Sequence, residues 1–287
     1  MSKILSLRLK NVLHKVTDGR QSAFLEGRGL MDNILVANEV LEEVKRKKTR
    51  CVFFKVDYEK AYDSVIWDFI YYMLDRLDLC GKWIEWVRAC LESSSVSMLI
   101  NRSLTQEFKP KKGLRQGDPL TPFLFLIVAE ELVKAIRKAV EKDMLESLEI
   151  GDKSTKVSML QYVDDTLFFC KVKVQSVFVI KVILKCFELA SGLKVNFEKS
   201  SIGGVGGDLQ TVQRCASILN CALMETLFKY LGMLVGGCHK RSKFWEEVVE
   251  RVRNRLGRWK GRYISMAERL CMIKSILSSL PMFYMSL

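Results

Sequence analysis

The fold is best read from one segment near the middle of the chain, Gln161-Tyr162-Val163-Asp164-Asp165-Thr166-Leu167-Phe168-Phe169. Its two adjacent carboxylates lie between apolar runs that predict strands, Val157 to Leu160 and Thr166 to Cys170. Like charges at the tip of a tight hairpin raise each other's pKa, and a bound divalent cation removes that cost. Oxygen ligands of this kind suit Mg²⁺. A solvated turn is the alternative for these residues taken alone, because Asp is common where chains reverse.

The composition is that of a globular protein. Hydrophobic residues make up 49% of the 287 positions, which excludes a disordered tail protein. No apolar run approaches the ~18 residues of a membrane span, so no membrane partner is expected. The nine cysteines form no Cys-x-x-Cys pair, a pattern typical of reduced thiols in a nuclear or cytoplasmic protein.

The net charge of +13 is unevenly distributed. Residues 1–50 carry 11 basic and 6 acidic side chains, and residues 239–287 carry 11 and 4. Residues 51–238 hold 24 and 23, so the acidic pair lies in a nearly neutral centre. A polyanion that is bound at both ends, with metal chemistry between them, would explain this distribution. A solubilising excess of surface charge is the alternative.

A third carboxylate ends another predicted strand, Cys51 to Asp57. Val52, Phe54 and Val56 share one face of that strand, and Asp57 points to the other. If Asp57 faces the hairpin pair, the three acids form a site for two Mg²⁺ ions. Such a site activates an attacking hydroxyl and neutralises the leaving oxygen in phosphoryl transfer. The alternative is an ordinary strand-ending Asp that caps the next helix.

The loop from Lys112 to Pro122 is the most specific string in the chain. Asp118 is predicted to be the N-cap of a long helix, with Pro119 at the first helical position. A cap does not explain Arg115 and Gln116, whose guanidinium and amide groups are natural partners for phosphate, sugar and base edges.

Helical periodicity and capping signals predict the remaining elements. Ser64 is expected to cap a helix that runs to about Asp78. Strands separated irregularly by helices and hairpins indicate an α+β fold. Further helices are predicted at residues 3–16, 31–48, 82–91, 174–190 and 209–219, with hairpins near 96–109 and 230–237.

The motifs of this chain, in order, resemble the reverse transcriptase domain of plant-type non-LTR retrotransposons (long interspersed elements). The resemblance covers nearly the whole chain. The family usually has Ala before the acid pair where this chain has Val163, and Val occurs there in other reverse transcriptases. The motifs are Gln21-Ser22-Ala23-Phe24, Gly27-Arg28, Asp32-Asn33-Ile34, Val56-Asp57, Lys60 to Asp63, Gly113 to Pro122, Tyr162 to Asp165, Gly192 to Asn196, Lys199 and Tyr230 to Gly232.

The resemblance implies a role for each matching residue. It makes Asp57, Asp164 and Asp165 the catalytic acids that bind two Mg²⁺ ions, and Lys199 a lysine near the pyrophosphate that acts as a general acid. Tyr62 becomes the aromatic gate against the 2′-hydroxyl of ribonucleotides. The other expected contacts are with the incoming nucleotide (Arg115, Gln116, Gly117) and with primer and template (Tyr230, Leu231, Gly232, Arg251, Arg255, Arg258).

The implied architecture is a right-hand polymerase with partial fingers at 1–50, a palm at 51–237 and a helical thumb at 238–287. The expected partners are an RNA template, a DNA primer or target, and dNTP, in the nucleus by resemblance or in the cytoplasm. Met1 is expected to lie inside the fingers, with more fingers sequence and an endonuclease region upstream. Two alternatives stay open: an inactive, truncated relic that retains nucleic-acid binding, and a maturase-like RNA-binding protein.

Overall fold

The computed structural model describes residues 1–18, 21, 23–24, 27, 29–151 and 155–237, and then 245–246, 249–250, 253–254 and 265–274. The helices are α1 (Ser2–Val16), α2 (Leu30–Arg46), α3 (Ala61–Ser64), α4 (Trp67–Arg76), α5 (Gly81–Glu92), α6 (Thr121–Glu141), α7 (Val174–Ser191), α8 (Leu209–Leu219) and α9 (Met266–Met272). The strands are β1 (Cys51–Val56), β2 (Leu99–Ile100), β3 (Ser103–Leu104), β4 (Leu148–Ile150), β5 (Thr155–Val157), β6 (Met159–Tyr162), β7 (Asp165–Lys171), β8 (Ser201–Val205), β9 (Ala222–Leu223), β10 (Phe228–Tyr230) and β11 (Met233–Val235).

A five-stranded sheet with the order β6-β7-β1-β8-β9 forms the centre. β1 lies in its middle and pairs antiparallel with both β7 and β8, whereas β8 and β9 are parallel. Among the described residues, the two-stranded hairpins β2–β3, β4–β5 and β10–β11 lie outside this sheet.

The two faces of the sheet belong to two hydrophobic cores, because successive side chains of a strand point to opposite sides. Val52, Phe54 and Val56 of β1 lie in the core that includes residues of α4, α6, α7 and α8. Cys51 and Phe53 lie in the other core, with residues of α2 and of the β10–β11 hairpin. All five side chains are at most 1% exposed. Both faces of the central strand are therefore covered, and functional side chains can reach solvent only at its ends.

Several contacts attach the hairpin β10–β11 to the second core. Phe228 stacks on Phe53 with ring centroids 5.0 Å apart. The Lys45 ammonium donates a hydrogen bond to the Gly236 carbonyl at 2.8 Å, and the Gly236 amide donates one to Asn38 Oδ1 at 2.9 Å. These contacts fix the hairpin against α2 and β1.

Most of the predicted elements are present, with two corrections. Ser64 does not cap a helix: its hydroxyl donates to the carbonyls of Glu59 and Lys60, and a new helix begins at Trp67. The long helix begins at Thr121, because Asp118 caps a preceding turn, where its Oδ1 accepts the Leu120 amide at 2.8 Å. In both places a local hydrogen bond satisfies the polar side chain before the helix starts.

The domain boundaries stay predictions, and most of the thumb lies outside the described residues. The eight cysteines in the described part of the chain form no disulfide there. Within the same part, no helix is long and apolar enough to span a membrane.

Candidate active site

Strand pairing places Asp57 beside the acid pair. Val56 is the register partner of Thr166, so the next position along each strand sets Asp57 next to Asp165, on the same face of the sheet. Tyr162 pairs with Asp165 across the β6–β7 turn, and Asp164 is the residue before it. Side chains at such neighbouring positions have Cβ atoms about 4.5–5.5 Å apart. The fold therefore brings all three predicted acids to the same end of the sheet, where β1 ends and β7 begins.

The turn between β6 and β7 holds the acid pair at a conformational cost. Val163, its first residue, has φ 57° and is only 8% exposed. A β-branched residue rarely adopts the left-handed region, which costs of order 1–3 kcal/mol. Strain of this kind persists where the surrounding structure fixes a functional turn.

A second chain segment supports Asp57 from the main chain. Segment 191–200, which follows α7, runs beside segment 57–66. The Asp57 amide donates to Ser200 Oγ at 3.0 Å, and the Asp57 carbonyl accepts the Asn196 amide at 2.8 Å. Other main-chain hydrogen bonds join the two segments, from Glu59 N to Lys194 O at 2.8 Å and from Ile66 N to Ser191 O at 2.9 Å. The backbone of Asp57 is thus fixed on both sides of its side chain.

The electrostatics of the three acids favour a cation. Burial raises the pKa of Asp164, and the charge of Asp57 raises it further. Burial also raises the pKa of Asp165, to which the charges of Asp164 and Asp57 add, whereas Lys55 lowers it. A divalent ion would offset both burial and mutual repulsion.

The three acid side chains are not placed closely enough to form a metal site as they stand. Among the residues that the structure describes, no group of three or more His, Cys, Asp or Glu side chains is placed to hold a metal ion. The oxygen donors and the repulsion between them suit Mg²⁺, and the two-ion site stays a prediction.

A cleft of about 400 Å³ opens beside the acid pair. It is lined by side chains from β1, α3, the β6–β7 turn and the β10–β11 hairpin, together with the start of α2: Lys55, Tyr62, Tyr162, Val163, Asp164, Asp165, Lys229, Leu231, Gly232 and Leu30. Asp57 is exposed but does not line this cleft.

Tyr62 projects from the short helix α3 into the cleft and is half-buried. Its ring lies 4.9 Å from that of Phe125 on α6, centroid to centroid. Burial raises the pKa of Tyr62, with the charge of Asp164 adding to the effect. Tyr62 therefore shares the cleft with the acid pair, and its role as a gate stays a prediction.

The loop with Arg115, Gln116 and Gly117 is anchored to α3 but lies away from the cleft walls. The Leu114 amide donates to the Tyr62 carbonyl at 2.7 Å, one residue before the loop. Arg115, Gln116 and Gly117 are exposed, and none of the three lines the cleft with Asp164. The structure thus ties this loop to Tyr62 through the backbone, and the nucleotide contacts of its side chains stay a prediction.

The β10–β11 turn lines the cleft with Leu231 and Gly232, but Tyr230 does not, and the primer contact stays a prediction. Leu231 (φ 51°) and Gly232 (φ 82°) form the two-residue turn and line the cleft. Two positive φ angles are typical of a type I′ hairpin turn. Tyr230 is fully buried beneath the turn, and burial raises its pKa. Tyr230 can therefore support the turn but cannot contact a primer directly.

Lys199 lies in the turn that also contacts Asp57. Its amide donates to Asn196 Oδ1 at 3.2 Å, and the Asn196 amide donates to the Asp57 carbonyl. The Lys199 side chain is exposed. Arg251, Arg255 and Arg258 of the predicted thumb lie outside the described residues.

Sequence reasoning assigned no functional role to two residues of this site, Asn33 and Lys55. Asn33 is 3% exposed, and its Nδ2 donates to the Gln161 carbonyl at 3.0 Å, next to the acid-pair strand. Its position within Asp32-Asn33-Ile34 was the available signal. Lys55 lines the cleft and reaches the hairpin, but a lysine in a strand gives no such signal.

A family model described as "Reverse transcriptase (RNA-dependent DNA polymerase)" matches residues 1–235. The chain belongs to this family. The reverse transcriptase domain is 27% identical over 285 residues to the transposon TX1 uncharacterized 149 kDa protein of Xenopus laevis, covering 97% of this chain and 21% of that protein. It is 25% identical over 246 residues to a retrovirus-related Pol polyprotein from a type-2 retrotransposable element of Drosophila melanogaster, covering 86% of this chain and 22% of that protein. The reverse transcriptase domain thus spans about a fifth of the length of these relatives.

The fold of the reverse transcriptase domain is also found among solved structures. A telomerase from Candida albicans, in complex with a fragment of telomeric RNA, superimposes with a TM-score of 0.57 at 13% identity. The match covers 88% of this chain and 42% of that one. The prediction of an α+β, palm-like polymerase fold is confirmed, and so is the resemblance to non-LTR retrotransposon proteins.

Proposed function

We propose that this chain performs RNA-directed DNA synthesis by transferring a nucleotide from dNTP to a primer 3′-hydroxyl on an RNA template. The proposal depends on one observation: Asp57, Asp164 and Asp165 lie at the same end of the sheet, beside the cleft. Membership of the reverse transcriptase family supports the same reaction.

Each part of the site has a proposed task. Asp57, Asp164 and Asp165 would hold two Mg²⁺ ions, which when bound lower the barrier to attack and stabilise the leaving oxygen. Tyr62 restricts the sugar of the incoming nucleotide, and Leu231 with Gly232 contacts the primer end. Lys199 protonates the leaving pyrophosphate. Template and nucleotide contacts are assigned to the exposed loop and to the thumb: Arg115, Gln116, Gly117, Arg251, Arg255 and Arg258.

The longer element to which such a domain belongs would add the remaining fingers and an endonuclease region upstream, and would act on nuclear DNA. The length of the curated relatives supports a longer protein, since the chain covers about a fifth of them.

Primer extension on an RNA template with Mg²⁺ and dNTP tests the proposal. Asp164→Asn should abolish extension while raising the melting temperature of the metal-free protein, because it removes one of the repelling charges. Asp75→Asn, an exposed acid on α4, serves as the matched control and should extend like the wild type.

The melting temperature separates lost chemistry from lost folding. Absence of extension by a folded wild-type chain would contradict the proposal and favour an inactive relic. Equal extension by Asp164→Asn and the wild type would contradict the role of the acid pair.

A further inference from the structure

Lys55 is a cationic side chain beside the three acids. It lies two residues before Asp57 on β1, so the alternation of the strand puts both side chains on the same face. That face also carries Asp165, and Lys55 lines the cleft together with Asp164 and Asp165. It is half-buried, so its charge is incompletely screened by solvent.

Lys55 also joins the strand of the acids to the hairpin. Its Nζ donates a hydrogen bond to the Lys229 carbonyl on β10 at 3.0 Å. Lys229 lies two residues before the Leu231–Gly232 turn, which forms the facing wall of the cleft. The Lys55 side chain therefore links β1, whose end carries the acids, to the hairpin that lines the same cleft.

A second lysine makes the same kind of bond without the same surroundings. Lys45 donates to the Gly236 carbonyl at 2.8 Å, at the far end of the same hairpin. Lys45 is exposed and does not line the cleft. Both lysines attach the hairpin, but only Lys55 also places a charge in the cleft. A comparison of variants at Lys45 and Lys55 therefore distinguishes the two effects.

We propose that Lys55 is a positioning residue that holds the β10–β11 hairpin at a fixed distance from the acids and competes with the divalent cation for Asp165. The proposal rests on the proposed function, because it assigns the hairpin to the primer end and the acids to the cation. The tether sets where a primer terminus would lie relative to Asp57 and Asp165. The charge keeps the cleft from holding a cation too tightly, since two positive charges in a partly buried site repel.

Binding of Mn²⁺ to the full chain, followed by the electron paramagnetic resonance signal of the free ion, tests the charge. Lys55→Met should tighten Mn²⁺ binding by about three-fold or more, because the competing ammonium is gone. Lys45→Met should leave Mn²⁺ binding unchanged. Unchanged or weaker binding by Lys55→Met, or an equal change in both variants, would overturn the proposal.

Hydrogen exchange of the amides in residues 228–235 tests the tether. Both Lys→Met variants should speed exchange there, by about ten-fold, since each removes one hydrogen bond from a charged donor. Lys55→Arg should restore slow exchange and weak Mn²⁺ binding, because Arg retains both the charge and a donor. Unchanged exchange in Lys55→Met would show that the bond does not hold the hairpin.

Single-turnover primer extension adds a readout of position. Lys55→Met should lower the rate of extension about ten-fold with an unchanged half-saturating dNTP concentration, and Lys45→Met should lower it less. A higher half-saturating dNTP concentration with an unchanged rate would overturn the positioning role. If the wild type does not extend a primer, the proposed function fails, and Mn²⁺ binding with hydrogen exchange still decides whether Lys55 acts as stated.

Discussion

Glu130 makes the stability of this chain depend on pH in a direction that can be measured. Its carboxylate is 2% exposed on α6 and accepts the Asp18 amide through both oxygens, at 3.2 and 3.0 Å. Burial raises the pKa of Glu130 to about 7, with the Asp18 charge adding to it, while the Asp18 amide, Lys134 and Arg137 lower it. The substitution Glu130→Gln keeps an acceptor for that amide and removes the titration.

The direction in which stability changes with pH follows from the number of protons bound in the folded and unfolded states. Between the ordinary pKa of 4.5 and the folded value of about 7, the folded state keeps a proton that the unfolded state has lost. The contribution of Glu130 to stability is therefore complete below pH 4.5 and is lost as the pH rises through 7. A shift of this size corresponds to about 3 kcal/mol at pH 8. Glu130→Gln should match the wild type near pH 5 and exceed it by up to that amount at pH 8.

Urea unfolding of both proteins at pH 5, 6, 7 and 8, followed by tryptophan fluorescence, gives the difference in the free energy of unfolding. Glu131→Gln is the matched control, because it removes the same charge from a half-exposed position on the same helix. A difference between Glu130→Gln and wild type that stays constant over this range would refute the reasoning. An equal change in Glu131→Gln would assign the effect to the charge of the helix instead of to burial.

Three further predictions concern the loop, the cleft and the thumb. Gly113→Ala should destabilise the chain by about 1–3 kcal/mol more than Gly117→Ala in urea unfolding. A Cβ at residue 113 would lie 2.9 Å from the Asp63 carbonyl oxygen, whereas a Cβ at residue 117 meets nothing within 4 Å. Equal losses of stability in the two variants would contradict this prediction. Tyr62→Ala should increase ribonucleotide incorporation in primer extension, since it empties the cleft wall beside Asp164; equal discrimination would remove the gate role. The thumb arginines Arg251, Arg255 and Arg258 are to be changed together to Glu, and binding to single-stranded RNA measured by filter binding at several salt concentrations. The plot of log affinity against log salt should become less steep by about 0.7 for each phosphate that the protein no longer neutralises. An unchanged slope would argue against phosphate binding by these arginines.

The sequence predicted the elements whose pattern is local. Leu209–Leu219 has the predicted bounds, and Ser2–Val16 and Val174–Ser191 differ from the predictions by one residue. Their apolar periodicity continues over several turns, so the helix signal is strong. The strands on either side of Asp164 and Asp165 were also found, because a charged pair between two apolar runs is a hairpin signal.

The helix starts at Ser64 and Asp118 were mispredicted for a shared reason. Both residues are good N-caps in isolation, but nearby backbone groups occupy their side chains. The start of α4 is set instead by distant chain, since the Ile66 amide donates to the Ser191 carbonyl. Sequence patterns report propensity, and tertiary contacts override it.

The sequence predicted the three acids and their meeting at one site, but not the contacts that position them. The motifs identified Asp57, Asp164 and Asp165, but the register that places Asp57 next to Asp165 depends on pairing between strands distant in sequence. The burial of Tyr230 and the contact of Lys55 with β10 likewise follow from the docking of the hairpin on the second core. No local pattern encodes that docking.

The hydrogen bonds between segments 57–66 and 191–200 limit how the sequence of this site can evolve. Backbone groups make most of the bonds between them, so many side chains there are replaceable without loss of the pairing. Adding or deleting one residue in either segment would misalign the bonds beyond the change and weaken the backbone support of Asp57. Relatives aligned over this region should therefore differ freely in residue type while keeping the lengths of both segments constant.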